Sequence, residues 1–370
     1  MSYRRRLGSV AALLGAVLLW VAPDVSAGSA AATRAVTGVS LVNAATGRPL
    51  LGLSPLTDDT VLDPAPVPLT LRADVAARPG SVTFTLTGAH GTRTTHTDAR
   101  APYLWPLPST PDAYTLTVQA STGGAPLSVR FTVAATATAA APLDVLFVGN
   151  SLLGTVNHGS GEDTPALVRH LASAAGRTLN VTEVIHSGYT LRQTWDDGLV
   201  ATALGGARRY DAIVLQEYST LLATNPAAAG HTLLDLYAPT FARALKPGGR
   251  VVLFKNWALV DPSPFPTRAA ATSAIDTNAA ALSAALSAAL RTPHVIAPIG
   301  DAFETLIAAH GASYLITPDG KHPNDTAVYL DAVTLYGILC RDSPRTLPDL
   351  YLPSPTATEL RAVAATAIGY

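Results

Sequence analysis

The hydrophobic pattern of this chain changes period once, and that change most limits what it can fold into. Between about residues 35 and 133, apolar side chains recur at every second position: Val39 and Leu41; Val82, Phe84 and Leu86; Tyr114, Leu116 and Val118; Leu127, Val129, Phe131 and Val133. Alternation turns one face of each segment to a core and the other to water, which is the pattern of strands. Arg78-Pro79-Gly80 and Gly123-Gly124 supply turns. An all-β module at 35–133 is therefore expected, of a size that suits a two-sheet sandwich. Residues 134–142, AATATAAAP, read as a small-residue linker. From 143 onward, continuous apolar runs replace the alternation, at 143–148, 212–215, 251–254 and 294–299. Such runs are buried on both faces. Helical stretches separate them, the clearest at 268–290, where Ile275, Ala279, Leu282, Leu286 and Leu290 share one face. The expectation for 143–370 is an α/β domain: about five parallel strands, near 143, 179, 211, 250 and 294, between two layers of helices. Its site should lie at the carboxyl ends of the strands.

Composition narrows the function. With 25 basic and 26 acidic residues the formal charge is -1, so the chain lacks the basic footprint that a nucleic acid or an anionic membrane surface demands. Its single cysteine, Cys340, excludes an intrachain disulfide and any Cys-rich metal site. Apolar neighbours Tyr336, Ile338 and Leu339 suggest a buried thiol. At the start, Arg4 to Arg6, the apolar run 10–21 and Val25-Ser26-Ala27 have the layout of an export signal over 1–27. The alternative is an uncleaved amino-terminal anchor, although the run is short of the ~20 residues that span a bilayer. The mature chain is expected to be soluble and secreted, periplasmic or at the cell surface.

Few residues could carry chemistry. Strand 143–148 runs into Gly149-Asn150-Ser151, which puts a hydroxyl at a strand's carboxyl end. Ser151 could be a nucleophile, or an ordinary turn or cap residue. Attack on a carbonyl also needs a base for the serine proton and donors for the oxyanion. Pro318-Asp319-Gly320-Lys321-His322-Pro323 offers the base. An aspartate three residues before a histidine can accept the Nδ1 proton and leave Nε2 facing a serine. Asp319 could equally be a turn residue before Gly320. The other eight histidines lack such a partner, and no His-x-x-x-His pair suggests zinc. Tyr218 and Trp257 follow the third and fourth strands and either line a cleft or pack in the core; Tyr103 and Trp105 in the β module either form a sugar-stacking platform or pack in a loop or the core.

Taken together, Gly149-Asn150-Ser151, Ser187-Gly188-Tyr189-Thr190-Leu191, Val214-Leu215-Gln216-Glu217 and Asp319-x-x-His322 resemble the SGNH (GDSL-like) hydrolases in order and spacing over 143–340. The wording of 41–120 resembles the immunoglobulin-like modules found beside bacterial surface enzymes. The first resemblance implies a flavodoxin-like α/β/α sandwich and a serine esterase acting on a small acyl ester or an acylated carbohydrate, with no cofactor. It implies Ser151 as nucleophile, His322 as base, Asp319 as its orienting acid, and an oxyanion hole of the Ser151 and Gly188 N–H groups. The chain departs from the family twice. Asn150 stands where the motif has aspartate, and Gln216 stands where it often has an asparagine whose amide holds the oxyanion. Gln216 carries the same amide on a longer stem and either fills that role or ties loop to loop. Two other readings stay open: a surface glycan-binding protein with an inactive hydrolase domain, and acyl transfer to a sugar hydroxyl.

Overall fold

Where apolar side chains alternate, the backbone is extended and paired into two sheets. In this computed structural model, which describes residues 35–62, 67–135, 141–289 and 293–370, strands β1 (Val36–Asn43), β3 (Leu69–Val75) and β6 (Leu104–Pro106) form an antiparallel sheet in the order β1-β3-β6. The second sheet has the order β2-β8-β7-β4-β5, from β2 (Thr60–Leu62), β8 (Leu127–Val133), β7 (Asp112–Ala120), β4 (Val82–Gly88) and β5 (Arg93–Asp98). It is antiparallel except for the β2–β8 pair. The alternating residues are the buried ones: Val39, Leu41, Leu71, Val82, Phe84, Leu116, Val118 and Phe131 join one core. Tyr103 is buried there, while Trp105 stacks on His96 with centroids 5.8 Å apart. The expected export signal and residues 136–140 of the expected linker lie outside the described residues.

The continuous runs form a second kind of sheet. Strands β9 (Leu143–Gly149), β10 (Leu179–Ile185), β11 (Tyr210–Gln216), β12 (Leu245–Phe254) and β13 (His294–Ala297) are all parallel, in the order β10-β9-β11-β12-β13. Counted within the sheet this is 2-1-3-4-5, the flavodoxin-like order. Successive side chains of a strand face opposite ways. Val145 and Phe147 of β9, Ala212 and Val214 of β11, and Val252 of β12 enter one core. Leu146, Val148, Ile213, Leu215 and Val251 enter another. Each face is covered by helices. On the first lie α2 (Thr164–Ala174), α9 (Ile299–His310), α10 (Asp325–Cys340) and α11 (Ser354–Ala367). On the second lie α3 (Leu191–Asp196), α4 (Leu199–Gly205), α7 (Ala238–Ala244) and α8 (Arg268–Ala289). Short α1 (Ser151–Gly154), α5 (Leu221–Thr224) and α6 (Pro226–His231) complete the set, with a π-helical turn at Thr232–Tyr237 between α6 and α7.

Two expected boundaries move. The run at 294–299 is strand only to Ala297, because Pro298 has no N–H for the ladder and Ile299 opens α9. β12 begins at Leu245, well before its apolar stretch, with its ladder to β11 irregular near Tyr210. Among the described residues no helix is long and apolar enough to cross a membrane. Cys340 is buried on α10, and burial pushes its thiol up to about 12.

From Arg34 onward the chain is one compact unit. The loop after β1 reaches under the α/β half: Leu51 N–H donates to Ile368 O at 3.1 Å, Asn43 Nδ2 to Gly369 O at 3.2 Å, and Arg250 Nη1 of β12 to Gly52 O at 2.5 Å. These contacts sit near the end of α11 and the middle of β12, and Gly52 also lies against the end of α10, at the end of the sheet away from Ser151.

Candidate active site

The sheet order reverses between β9 and β11, which is where an open parallel sheet leaves a crevice beyond its carboxyl edges. Ser151 stands there, the first residue of α1. Asn150 caps that helix by accepting from Leu152 N–H at 3.1 Å, and its Nδ2 donates to Tyr189 O at 2.9 Å. The second bond accounts for the departure from aspartate, since a carboxylate would meet that carbonyl with no proton to offer. Gly149 is required by close approach: a Cβ there would lie 2.7 Å from Gln216 Oε1 and 2.9 Å from Leu153 Cδ1.

The loop from Thr317 brings the base. Ile316 and Pro323 pair in an isolated bridge, and Thr317 N–H donates to His322 O at 2.9 Å, so the loop turns back on itself. His322 Nε2 lies 2.8 Å from Ser151 Oγ. Its Nδ1 lies 2.5 Å from Asp319 Oδ2. Asp319 Oδ1 meanwhile accepts from the N–H of Lys321 (2.9 Å) and His322 (3.1 Å) and from Thr317 Oγ1 (2.7 Å). Burial works to raise the Asp319 carboxyl, but the His322 bond and the three donors outweigh it and hold it far below the usual carboxylate range. Residues separated by 171 positions thus form a row of hydroxyl, imidazole and carboxylate.

The segment around Gly188 stands close to Ser151. The loop with Gly188 is pinned to the nucleophile strand, His186 N–H donating to Gly149 O at 3.0 Å. Among the described residues neither the Ser151 nor the Gly188 N–H has an acceptor. Gln216 is different and corrects the expectation of a third donor. It is fully buried; its Oε1 accepts from Asn150 N–H at 2.9 Å, and its Nε2 is spent on Glu217 O and on Asn256 Oδ1. The Asn150 bond fixes which end is oxygen, so both amide hydrogens point at protein acceptors and tie loop to loop.

Trp257 combines its two expected roles. It is 1% exposed and stacks on Phe303, centroids 3.9 Å apart, so most of the ring is core, while one part of it reaches the wall of the recess beside the His322 loop. Its Nε1 donates to Lys321 O at 3.1 Å, and Val260 N–H donates to Gly320 O, which braces the His322 loop from behind. Beside this brace lies a recess of about 280 Å³ whose lining includes Ser219, Thr224, Asp261 and Phe265. Tyr218 and Tyr189 are exposed.

Other histidines meet acids without that three-residue spacing: His186 Nδ1 is 2.9 Å from Asp197, His158 Nδ1 2.9 Å from Asp325, and His310 Nε2 2.8 Å from Glu359. Those partners are distant in sequence; only His231–Asp235, at one helical turn, had a visible spacing. Among the described residues none of these four has a serine hydroxyl on its other ring nitrogen.

No family model matches the sequence, and no curated protein matches it. Among solved structures, the chain is similar to a DUF4886 family protein from Bacteroides uniformis ATCC 8492, at 16% identity and a TM-score of 0.50 over 62% of this chain and 96% of that one. It is also similar to a lipase/acylhydrolase from Enterococcus faecalis (15% identity, TM-score 0.39, covering 56% and 97%). A third is Axe2, an acetylxylan esterase from Geobacillus stearothermophilus (15%, 0.37, covering 52% and 93%). At these identities the likeness is one of fold, and the first of the three carries it.

Proposed function

We propose that this chain is an exported serine esterase that hydrolyses carboxylic esters through Ser151, His322 and Asp319. The reading rests on one observation above others: Ser151 Oγ is 2.8 Å from the ring nitrogen of His322 whose opposite nitrogen is 2.5 Å from Asp319. An ionised Asp319 keeps the imidazole proton on Nδ1 and leaves the Nε2 lone pair for the serine proton. Ser151 Oγ attacks the ester carbonyl as His322 takes that proton. The negative oxygen is received by the N–H groups of Ser151 and Gly188. His322 then returns the proton to the departing alcohol, and water releases the acyl group by the same steps in reverse roles. We assign the substrate to small acyl esters or O-acylated carbohydrates, consistent with the modest recess beside the His322 loop and the exposed Tyr189 and Tyr218. Export through a signal at 1–27, and an immunoglobulin-like character for the two amino-terminal sheets, belong to the same proposal.

Purified chain should hydrolyse short aryl esters, and Ser151→Ala should abolish this with an unchanged melting temperature. A fluorophosphonate should label Ser151. A variant that retains full activity, or wild-type protein that neither turns over esters nor takes the label, would refute the reading.

A further inference from the structure

We infer that Glu217 is a positioning residue for the oxyanion loop: its side chain clasps the segment carrying Gly188 to the end of β11. The inference deepens the esterase reading and rests on it.

Three hydrogen bonds tie loop 186–191 to the nucleophile strand, its cap and the end of β11. Two come from the nucleophile strand, through His186 N–H to Gly149 O and Asn150 Nδ2 to Tyr189 O. The third comes from Glu217, whose Oε1 accepts from Leu191 N–H at 3.0 Å and from Tyr218 N–H at 2.6 Å. Leu191 is three residues past Gly188 and starts α3, whose first turn is closed by reciprocal bonds between Thr190 and Gln193. One carboxyl oxygen therefore ties that turn to β11, while the Tyr237 hydroxyl, donating to Leu191 O at 2.8 Å, ties it to the helical layer. The Glu217 backbone is held just as firmly, since its carbonyl accepts from Gln216 Nε2 and from Asn256 Nδ2 at 2.7 Å. Gln216 in turn holds Asn150 N–H, next to the nucleophile.

The other oxygen, Oε2, is buried and has no hydrogen-bond partner among the described residues. Burial pushes the carboxyl up from its ordinary range, against the two N–H bonds that lower it. A buried carboxyl with one oxygen unpaired opposes folding, and a tie made only for stability would not need it. Its geometric effect is on the Gly188 N–H, which must meet an oxygen that becomes anionic only during attack. A donor displaced there weakens transition-state binding and leaves ground-state binding almost untouched.

The test uses the full chain with a short aryl acetate. Glu217→Ala should lower kcat by about 10- to 100-fold with KM within about threefold, a split that misplacement of a donor predicts. Glu217→Gln keeps an oxygen for both N–H groups and should return kcat to within about threefold of wild type. An Ala variant with unchanged kcat, or a folded Gln variant as slow as the Ala one, would overturn the inference. Should the Ala variant fail to fold, amide exchange in wild-type protein decides: Leu191 and Tyr218 N–H should exchange slowly, and fast exchange at Leu191 would overturn it. Absence of esterase activity in the wild type counts against the esterase reading instead, and exchange still decides the clasp.

Discussion

Replacing Asp319 by asparagine separates a catalytic role for the carboxylate from a role in holding the loop. The oxygen Oδ1 receives two backbone N–H groups and the Thr317 hydroxyl. Backbone N–H groups cannot accept, so an amide at 319 must place its own oxygen there. Its NH2 then faces His322 Nδ1, the position where Asp319 Oδ2 accepts in the native chain. With a donor opposite it, Nδ1 must give up its proton, and the proton moves to Nε2. That nitrogen lies 2.8 Å from Ser151 Oγ and can no longer take its hydrogen. Flipping the amide to restore the tautomer would set NH2 against two backbone N–H groups, at about 1–3 kcal/mol for each donor left without an acceptor. The native tautomer is thus disfavoured in either arrangement. A loss of about 10⁴ in kcat is expected, or about 5.4 kcal/mol of barrier at 1.36 kcal/mol per decade. Since the loop keeps its three bonds to Oδ1, the melting temperature should stay put. Steady-state hydrolysis of an aryl acetate, with thermal melting of both proteins, reads the two quantities. Asp319→Asn within about tenfold of wild type, while Ser151→Ala is inactive, would refute the tautomer argument.

Further predictions follow from buried groups. Gln216→Ala leaves the Asn150 N–H without its acceptor and should destabilise the fold by about 1–3 kcal/mol in denaturant titrations; an unchanged midpoint would deny it the tie. Gly369→Ala would place a Cβ 2.3 Å from Pro49 O at a φ of +98°, so it should lower the single unfolding transition of the whole chain, and two separate transitions would show that the halves unfold independently. Asp331 is fully buried in α10 with both oxygens unpartnered among the described residues, and burial raises its carboxyl well above the ordinary value. As pH climbs past about 4 the unfolded chain loses this proton while the folded chain keeps it, so stability is fullest below that pH and drains as pH rises toward the folded value. Asp331→Asn should flatten that decline above pH 4, and an identical pH dependence in the two proteins would refute it.

Much of this architecture was legible because burial leaves a period. Strands β4, β7 and β8 alternate cleanly since one face packs, and β9 over 145–148 and β11 over 212–215 are apolar throughout since both do. β5, RTTHTD, has no apolar face because it lies at a sheet edge, and β2 and β6 are three residues each, too short to show any period. The π-helical turn at Thr232–Tyr237 leaves no mark of its own in the pattern. In the candidate site, Ser151, His322 and Asp319 were visible by residue type and local spacing. What Gln216, Glu217, Asn256 and Trp257 do was not, because each acts through bonds to backbone groups far away in the chain, and a side chain's type does not say which carbonyl it will meet.

The bonds of Asn43 and Leu51 to the end of α11 and of Gly52 to Arg250 of β12 carry a practical consequence. Helix α10 runs from the His322 loop to that seam, 16 residues or about 24 Å at 1.5 Å each. A cut in the middle of the chain, made to obtain a minimal enzyme, would strip the floor from beneath that helix and wet Ile338 and Ile368. Anyone trimming this protein for crystallisation or display should keep both halves together.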